Sequence, residues 1–185
     1  MAEVKHLTMT ELEAGMDSIR QSPRDQGVLQ MIVRRPAVGE REVLEQGALH
    51  VQEGLVGDNW NIRGSSSMPD GSPHPEMQLN IMNARVIALV AQDTSRWPLA
   101  GDQLYIEMDL SAENLPPGSQ LTIGSAVIEV TPPPHTGCKK FVARFGLDAM
   151  KFVNSEIGKH LHLRGINAKV VQSGMIQVGD VIRRV

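Results

Sequence analysis

The feature of this sequence that most constrains its fold is a series of short apolar runs, bounded by glycine, proline or polar turns. Clear examples are residues 104–110 and, with several β-branched side chains each, residues 28–33 and 126–130. Strands are also predicted over 43–51, 77–82, 120–123, 166–171, 175–178 and 181–185. Because such runs recur at intervals of roughly ten residues, they favour a mostly β, barrel-like fold with a few short peripheral helices. Strands do not alternate with long helices, which argues against a doubly wound parallel sheet.

Helical signals are confined to a few places. Thr10 and Glu13 fit a capping box, which predicts a short helix over residues 10–20. This helix precedes the first strand, so residues 1–26 are interpreted as an N-terminal helical extension that could serve as an oligomer contact. Residues 27–185 are then the barrel domain. Two further helices are predicted, one capped by Asn83 and one over residues 148–157.

Composition and motif content exclude several classes of protein. The net charge is −3 and aromatic residues make up only 3%, so neither a general polyanion binder nor a stacking surface for nucleic acid is expected. A single cysteine, a polar N-terminus and no long apolar run indicate a cytoplasmic chain with no membrane partner. The sequence has no Gly-rich phosphate loop, no Gly-x-Ser-x-Gly elbow and no paired CxxC.

The single cysteine, Cys138, is the first candidate for chemistry. A proline run over residues 132–134 is expected to end the preceding strand, and a basic amphipathic helix is expected after the cysteine. Cationic side chains and a helix N-terminus favour the thiolate, the form that attacks sulfur electrophiles or binds soft metals. The alternatives left open are a buried, inert thiol and a basic helix face that is merely solvated. The neighbouring cations are Lys139, Lys140 and Arg144.

Two other groups of residues could bind a ligand. His135 and Cys138, together with His160 and His162, could supply zinc ligands, although their spacing is unlike that of common zinc modules. Arg164 stands before a glycine at a predicted turn, where a guanidinium can bind phosphate while the glycine permits close backbone approach.

A long polar segment over residues 58–76, rich in serine, glycine and proline, is predicted to be a mobile loop. Long loops in compact domains often cover functional sites. Trp60 and Arg63 are the residues of this loop expected to reach into a site.

Four segments of the sequence together resemble the MOSC domain, the C-terminal part of molybdenum cofactor sulfurases, which also occurs as small stand-alone bacterial proteins. They are CKKFVARFG at residues 138–146, LRGINAKV at 163–170, GMIQVGDVI at 174–182 and, more weakly, GLVGD at 54–58. The resemblance covers roughly residues 27–185. Gly137 stands where many relatives have proline before the cysteine.

The resemblance implies a β-barrel whose pocket binds molybdenum cofactor, a molybdopterin, with Cys138 at the pocket mouth. Cys138 would carry sulfur as a persulfide or ligate molybdenum directly. The other side chains expected to bind the cofactor are His135, Lys139, Arg144, Arg164, Arg63 and Asp58.

The resemblance also implies partners. The chain has no room for the pyridoxal-phosphate-dependent domain of full-length sulfurases, so sulfur would come from a separate cysteine desulfurase. As a carrier the protein would deliver sulfur to a molybdoenzyme's cofactor. The alternative is a molybdenum-dependent reductase of N-hydroxylated compounds. Such an enzyme needs a separate electron donor, because nothing in this sequence is expected to hold flavin, haem or an iron–sulfur cluster. No bound pyridoxal phosphate is expected either.

Overall fold

The computed structural model describes residues 4–185, and its centre is a closed β-barrel of seven strands. The strands are β1 (Gln26–Arg34), β2 (Glu42–Leu44), β3 (Gln46–His50), β4 (Gly54–Leu55), β5 (Leu79–Asn83), β6 (Leu104–Glu107), β7 (Gln120–Ile123), β8 (Ala126–Pro134), β9 (Ile166–Gln172), β10 (Gly174–Gln177) and β11 (Val181–Arg184). Around the barrel the order is β1-β11-β7-β8-β9-β5-β6, with β6 pairing back onto β1. Among the strands described between residues 4 and 185, only β5 and β6 pair in parallel. This confirms the predicted mostly β, barrel-like fold.

Short helices surround the barrel, as predicted. The α-helices of the described chain are α1 (Met9–Ala14), α2 (Met16–Arg20), α3 (Trp60–Arg63), α4 (Ala84–Ala91), α5 (Lys139–Phe145), α6 (Leu147–Asn154) and α7 (Glu156–His160), with 3₁₀ turns at Pro75–Met77 and Thr94–Ala100. None of the helices described between residues 4 and 185 has the length and apolarity to cross a membrane.

Apolar side chains form two layers. One fills the barrel interior with residues such as Leu29, Ile81 and Leu121, which are fully buried. The other lies between the barrel wall and the helices, where Phe141 and Phe145 of α5 pack. Burying these side chains stabilises the fold by roughly 1.5–3 kcal/mol each. The second layer also fixes α5, and with it the residue that precedes α5, against the barrel.

The N-terminal helices belong to the second apolar layer. Leu12 and Ile19 are buried in it together with residues of α4 and α6. The predicted cap was wrong by two residues: Thr8, not Thr10, accepts a hydrogen bond from the Glu11 backbone N–H, and Glu11 completes the capping box. Both threonines are followed three residues later by glutamate, and the register that buries Leu12 decides between them.

Other predicted boundaries also differ from the structure. The single strand over 43–51 was wrong, because β2 pairs with β1 whereas β3 pairs with β10 and β4. The predicted helix over 148–157 is divided at Ser155, whose extended backbone ends α6 and whose hydroxyl caps α7. Asn83 caps α4, as predicted. The strand predicted from residue 77 begins at Leu79, after a 3₁₀ turn.

The proline run does not end its strand. β8 continues through Pro132–Pro134, and Pro134 pairs with Ile166 of β9 after a register shift. Proline lacks an N–H but keeps its carbonyl acceptor, and the Pro133 carbonyl accepts from the Asn167 side chain. The strand therefore carries the chain to the mouth of the barrel, where His135 and Cys138 follow.

Candidate functional site

A cleft of about 320 Å³ opens where β8 meets α5. We call it the basic cleft, because its wall carries Cys138 and six cationic side chains but no carboxylate from the described residues. The cations come from the end of β1 and the loop after it, from α3, from α5 and from the start of β9: Arg35, Arg41, Arg63, Lys140, Arg144 and Arg164. A chain with a net charge of −3 thus concentrates positive charge at one place.

Cys138 is the N-cap residue of α5, and its thiol is exposed at the cleft. Partial burial raises the pKa of the thiol, but the backbone N–H groups of Phe141 and Lys140 and the charges of Arg164 and Lys140 outweigh burial, so the pKa lies below the ordinary value. The N–H groups at a helix start carry partial positive charge that favours an anion. The exposed thiol argues against the buried-thiol alternative.

Behind the cleft wall, Asp102 joins two of the predicted site residues. Its fully buried carboxylate accepts two hydrogen bonds from Arg164 Nη1, at 3.0 and 2.7 Å, and one from His135 Nε2, at 2.8 Å. Burial alone would raise the pKa of Asp102, but Arg164 and His135 hold it at about 2. Burial, and then Arg164, lower the pKa of His135 despite the carboxylate. His135 is therefore neutral near pH 7, with its proton on Nε2 and its Nδ1 able to accept.

A second buried ion pair supports the part of the cleft wall formed by Arg35. Arg35 donates to both oxygens of Asp58, from Nε at 2.9 Å and from Nη2 at 2.7 Å, and its backbone N–H also donates to Asp58. Nη1 of Arg35 donates to Asn80 and to the Gly101 carbonyl. Such a pair fixes geometry more than it stabilises the fold, because both charges lose their hydration.

The remaining four cations of the cleft have no carboxylate partner among residues 4–185: Arg41, Arg63, Lys140 and Arg144. Burial, followed by repulsion from Arg144 and Arg35, lowers the pKa of Arg41. Burial, followed by repulsion from Arg35, does the same for Arg63. An anionic ligand bound between these cations would reduce their mutual repulsion.

The structure brings together most of the residues that the sequence singled out. Five of them line the basic cleft: Cys138, His135, Arg63, Arg144 and Arg164. Two do not: Lys139 lies outside the cleft wall, and Asp58 is buried behind it as the partner of Arg35. Trp60 also lines the cleft, from α3 within the segment that was predicted to be an irregular loop.

Sequence reasoning missed Arg35, Arg41 and Asp102. Arg35 and Arg41 flank a loop with no recognisable motif, and Asp102 contacts Arg164 across 62 positions of the chain. Lys140 was noted as a neighbour of the cysteine, but its place on the cleft wall depends on the start of α5. The helical spacing of Lys140 and Arg144 predicts that they share one face of α5, and both side chains line the cleft.

The zinc alternative finds no support in the geometry. His135 is bonded to Asp102, and His162 Nδ1 lies 2.7 Å from the Leu110 carbonyl. Across residues 4–185 no three potential ligand side chains of histidine, cysteine, aspartate or glutamate converge as a metal site would require.

Two buried polar atoms of the cleft residues have no partner among the described residues, namely Asn59 Oδ1 and Arg164 Nε. Native structures rarely leave buried polar atoms unbonded. One is an acceptor and the other a donor. The cleft itself, with its cations and its exposed thiol, fits an anionic ligand.

Comparison with known proteins places this cleft in a family context. The MOSC domain model matches residues 70–183, whereas no curated protein sequence matches the chain. YuaD from Bacillus subtilis superposes with a TM-score of 0.59 at 15% identity, covering 85% of this chain and 94% of YuaD. YiiM from Escherichia coli superposes with a TM-score of 0.53 at 18% identity, covering 85% of this chain and 69% of that YiiM. YiiM from Geobacillus stearothermophilus superposes with a TM-score of 0.51 at 12% identity, covering 89% of this chain and 74% of that YiiM. At these identities the structures bear on the fold alone.

Proposed function

The chain belongs to the MOSC domain family, and from this we propose that it binds molybdenum cofactor in the basic cleft and that Cys138 carries sulfur as a persulfide. The single observation that carries the proposal is the exposed Cys138 thiol, with its lowered pKa, in a cleft whose four remaining cations have no carboxylate partner among residues 4–185. A thiolate beside an anion-binding wall suits a cofactor that is itself anionic and reacts with sulfur.

The residues present fit the cofactor. Arg41, Arg63, Lys140 and Arg144 would hold its phosphate and other anionic groups, because guanidinium groups bind phosphate through paired hydrogen bonds. The buried Arg164–Asp102 pair would keep the Arg164 guanidinium and His135 in fixed orientations at the inner wall. When bound, the cofactor would supply a molybdenum centre that accepts sulfur.

The first chemical step involves this chain's own thiolate. Cys138 Sγ attacks the terminal sulfur of a persulfide on a separate donor protein, of the cysteine desulfurase kind. The new S–S bond forms on Cys138 while the donor's S–S bond breaks, and the donor leaves as a thiolate. No net oxidant is needed. The lowered pKa favours the attacking thiolate, and the chain's lack of a second cysteine means that no internal thiol can displace the sulfur.

An intact-mass experiment tests the carrier role. The purified protein is incubated with a cysteine desulfurase and cysteine, and we expect a mass increase of one sulfur atom that cyanide removes. Cys138→Ser, which keeps the size of the side chain, should show no increase. An unmodified wild-type mass under conditions that load another persulfide acceptor would contradict the carrier role.

Reduction of N-hydroxylated compounds is the second candidate, and the same exposed Cys138 thiol favours it, because a soft thiolate is also a suitable ligand for molybdenum. In that case Cys138 would bind the metal and a separate protein would supply electrons. Assays of hydroxylaminopurine reduction with a reductant decide between the candidates. Equal rates for wild type and Cys138→Ala would rule the reductase out.

A further inference from the structure

The Cys138 thiol is carried by residues 135–138, a short segment without regular secondary structure between β8 and α5. Gly137 directly precedes the cysteine, and glycine has more backbone freedom than any other residue. Rotation about the φ and ψ angles of Gly137 would swing Cys138 relative to α5 and move its thiol. The position of the thiol therefore depends on what fixes Gly137.

One side chain, that of Asn154 at the end of α6, is bonded to the backbone on both sides of Gly137. Its Oδ1 accepts a hydrogen bond from the Gly137 N–H at 2.8 Å, and its Nδ2 donates to the Gly137 carbonyl at 3.0 Å. The N–H belongs to the peptide plane before the glycine, and the carbonyl belongs to the plane that Gly137 shares with Cys138. Because peptide planes are rigid, the two bonds together fix both rotations that glycine leaves free.

The Asn154 amide is itself anchored to the packed part of the molecule. Its Nδ2 lies 3.3 Å from Sδ of Met150, one helical turn earlier, and the neighbouring Phe152 and Val153 are buried in the second apolar layer. Gly137 lies directly against this end of α6, since a Cβ built on it would lie 3.1 Å from Val153 Cγ2. The two hydrogen bonds thus connect the segment that carries the cysteine to the core.

The rest of the segment is also held. At its start, His135 is bonded to the buried Asp102 at 2.8 Å, and at its end the Cys138 carbonyl accepts from the Phe141 N–H at 2.9 Å. In this arrangement the N–H groups of Phe141 and Lys140 lower the pKa of the thiol, against partial burial that raises it. Gly137 is the flexible joint between these fixed ends, and Asn154 is the side chain that fixes this joint.

From these contacts we propose that Asn154 is a positioning residue for the reactive thiol: it clamps Gly137 so that Cys138 Sγ stays at the start of α5, facing the cleft. The inference rests on the proposed function, in which this thiol accepts sulfur and passes it on. Asn154 is not among the residues that line the cleft, so it acts on the chemistry through the Gly137 backbone. Thiolate attack requires a fixed approach geometry, and the clamp supplies it.

The substitution Asn154→Leu tests the clamp. It replaces the amide with an apolar side chain of similar size, and it leaves in place the two cations that act on the thiol, Arg164 and Lys140. The rate of alkylation by iodoacetamide is followed against pH. We expect the midpoint to rise toward that of a free thiol, because a released thiol spends less time beside the N–H groups of α5. Sulfur loading from a cysteine desulfurase should slow by roughly tenfold.

Ser155→Ala is the matched control. The Ser155 hydroxyl caps α7 and bonds to the Phe152 carbonyl, and it bonds to neither Gly137 nor Cys138. This variant should lower the unfolding temperature and leave the alkylation midpoint and the loading rate unchanged. Asn154→Ala, which only removes atoms, takes the place of Asn154→Leu if the leucine variant does not fold.

The outcomes distinguish the inference from the proposed function, because alkylation needs neither sulfur donor nor cofactor. An unchanged midpoint in the Asn154 variant, or an equal shift in Ser155→Ala, overturns the role of Asn154 whatever the loading rate. If the midpoint rises in the Asn154 variant alone but wild type takes up no sulfur, the carrier function is contradicted while Asn154 still positions the thiol.

Discussion

Cys138 is the residue whose ionisation the proposed chemistry requires. Its pKa lies below the ordinary thiol value, with the α5 N–H groups, Arg164 and Lys140 as the causes that outweigh partial burial. We expect the rate of alkylation by iodoacetamide, followed against pH, to rise with a midpoint below that of a free thiol. Lys140→Gln should move this midpoint upward. Cys138→Ala should not react, and a wild-type midpoint at or above the free-cysteine value would contradict the assignment.

Asp102 is the residue on which the inner wall depends. Asp102→Asn leaves the buried Arg164 without a counter-charge, so we expect a loss of about 3–5 kcal/mol in the free energy of unfolding at neutral pH. The matched control is Glu42→Gln in the solvent-exposed Arg34–Glu42 pair, which should cost about 1 kcal/mol or less. Urea denaturation measures both, and equal losses would contradict the structural role of Asp102.

The same carboxylate gives a pH dependence with a definite sign. The folded-state pKa of Asp102 is held at about 2, below its unfolded value of about 3.8. Its contribution to stability is therefore complete above about pH 4 and is lost as the pH falls toward 2. Urea denaturation at a series of pH values measures this loss. The free energy of unfolding of wild type should fall more steeply between pH 4 and about pH 2 than that of Asp102→Asn.

At this scale the sequence could identify Cys138 and Arg164, because each lies within a recognisable motif. It could not identify Arg35 or Asp102, which owe their place in the site to pairing between distant segments. Asp58 was taken for a site residue because of its glycine-aspartate motif. The structure places its carboxylate under Arg35, so the motif marks a support of the cleft rather than its surface.

At the scale of elements, Gly165 shows how the start of β9 is built around the site. Its φ is +117°, and a Cβ there would lie 2.2 Å from the Ile81 carbonyl of β5 and 3.1 Å from the His135 ring. Gly165→Ala should therefore destabilise the barrel by several kcal/mol, roughly 2–4, and lower the yield of folded protein. Thermal unfolding measures the loss.

Gly39 provides the matched control for Gly165. It also has a positive φ, +88°, but nothing lies within 4 Å of a Cβ built there. Gly39→Ala carries only the backbone strain, about 1 kcal/mol. Similar unfolding temperatures for the two variants would contradict the view that glycine is required at position 165 because of its close contact with β5 and His135.

The pattern of apolar runs was enough to predict that most strands and helices exist. The residues at which they begin and end depend on tertiary contacts, which the pattern does not contain. Thr8 and Thr10 offer equivalent caps, and burial of Leu12 selects the first. The prolines of β8 continue a strand because β9 and the Asn167 side chain use their carbonyls. Trp60 and Arg63 line the cleft, and the segment that carries them includes a short helix rather than loop alone.

At the scale of the whole molecule, the barrel brings together residues from distant parts of the chain. The loop after β1, α3, the end of β8, α5 and the start of β9 meet at one opening. The closed barrel fixes these segments relative to one another, and two buried ion pairs hold the walls. Net charge gave no sign of the site, because it sums the charges of the whole chain, whereas six cations line this one cleft. Recognition of the family motifs was what linked the fold to a cofactor.

The most direct measurement of the central claim is the cofactor content of the protein purified from cells that synthesise molybdenum cofactor. We expect fluorescent oxidised pterin and molybdenum to co-purify with wild type in nearly equal amounts. Arg63→Gln combined with Arg144→Gln should lower both by roughly tenfold. Arg183→Gln combined with Lys151→Gln removes the same charge outside the cleft and should lower neither. Wild type free of both pterin and molybdenum, or equal loss in the two double variants, would contradict the account.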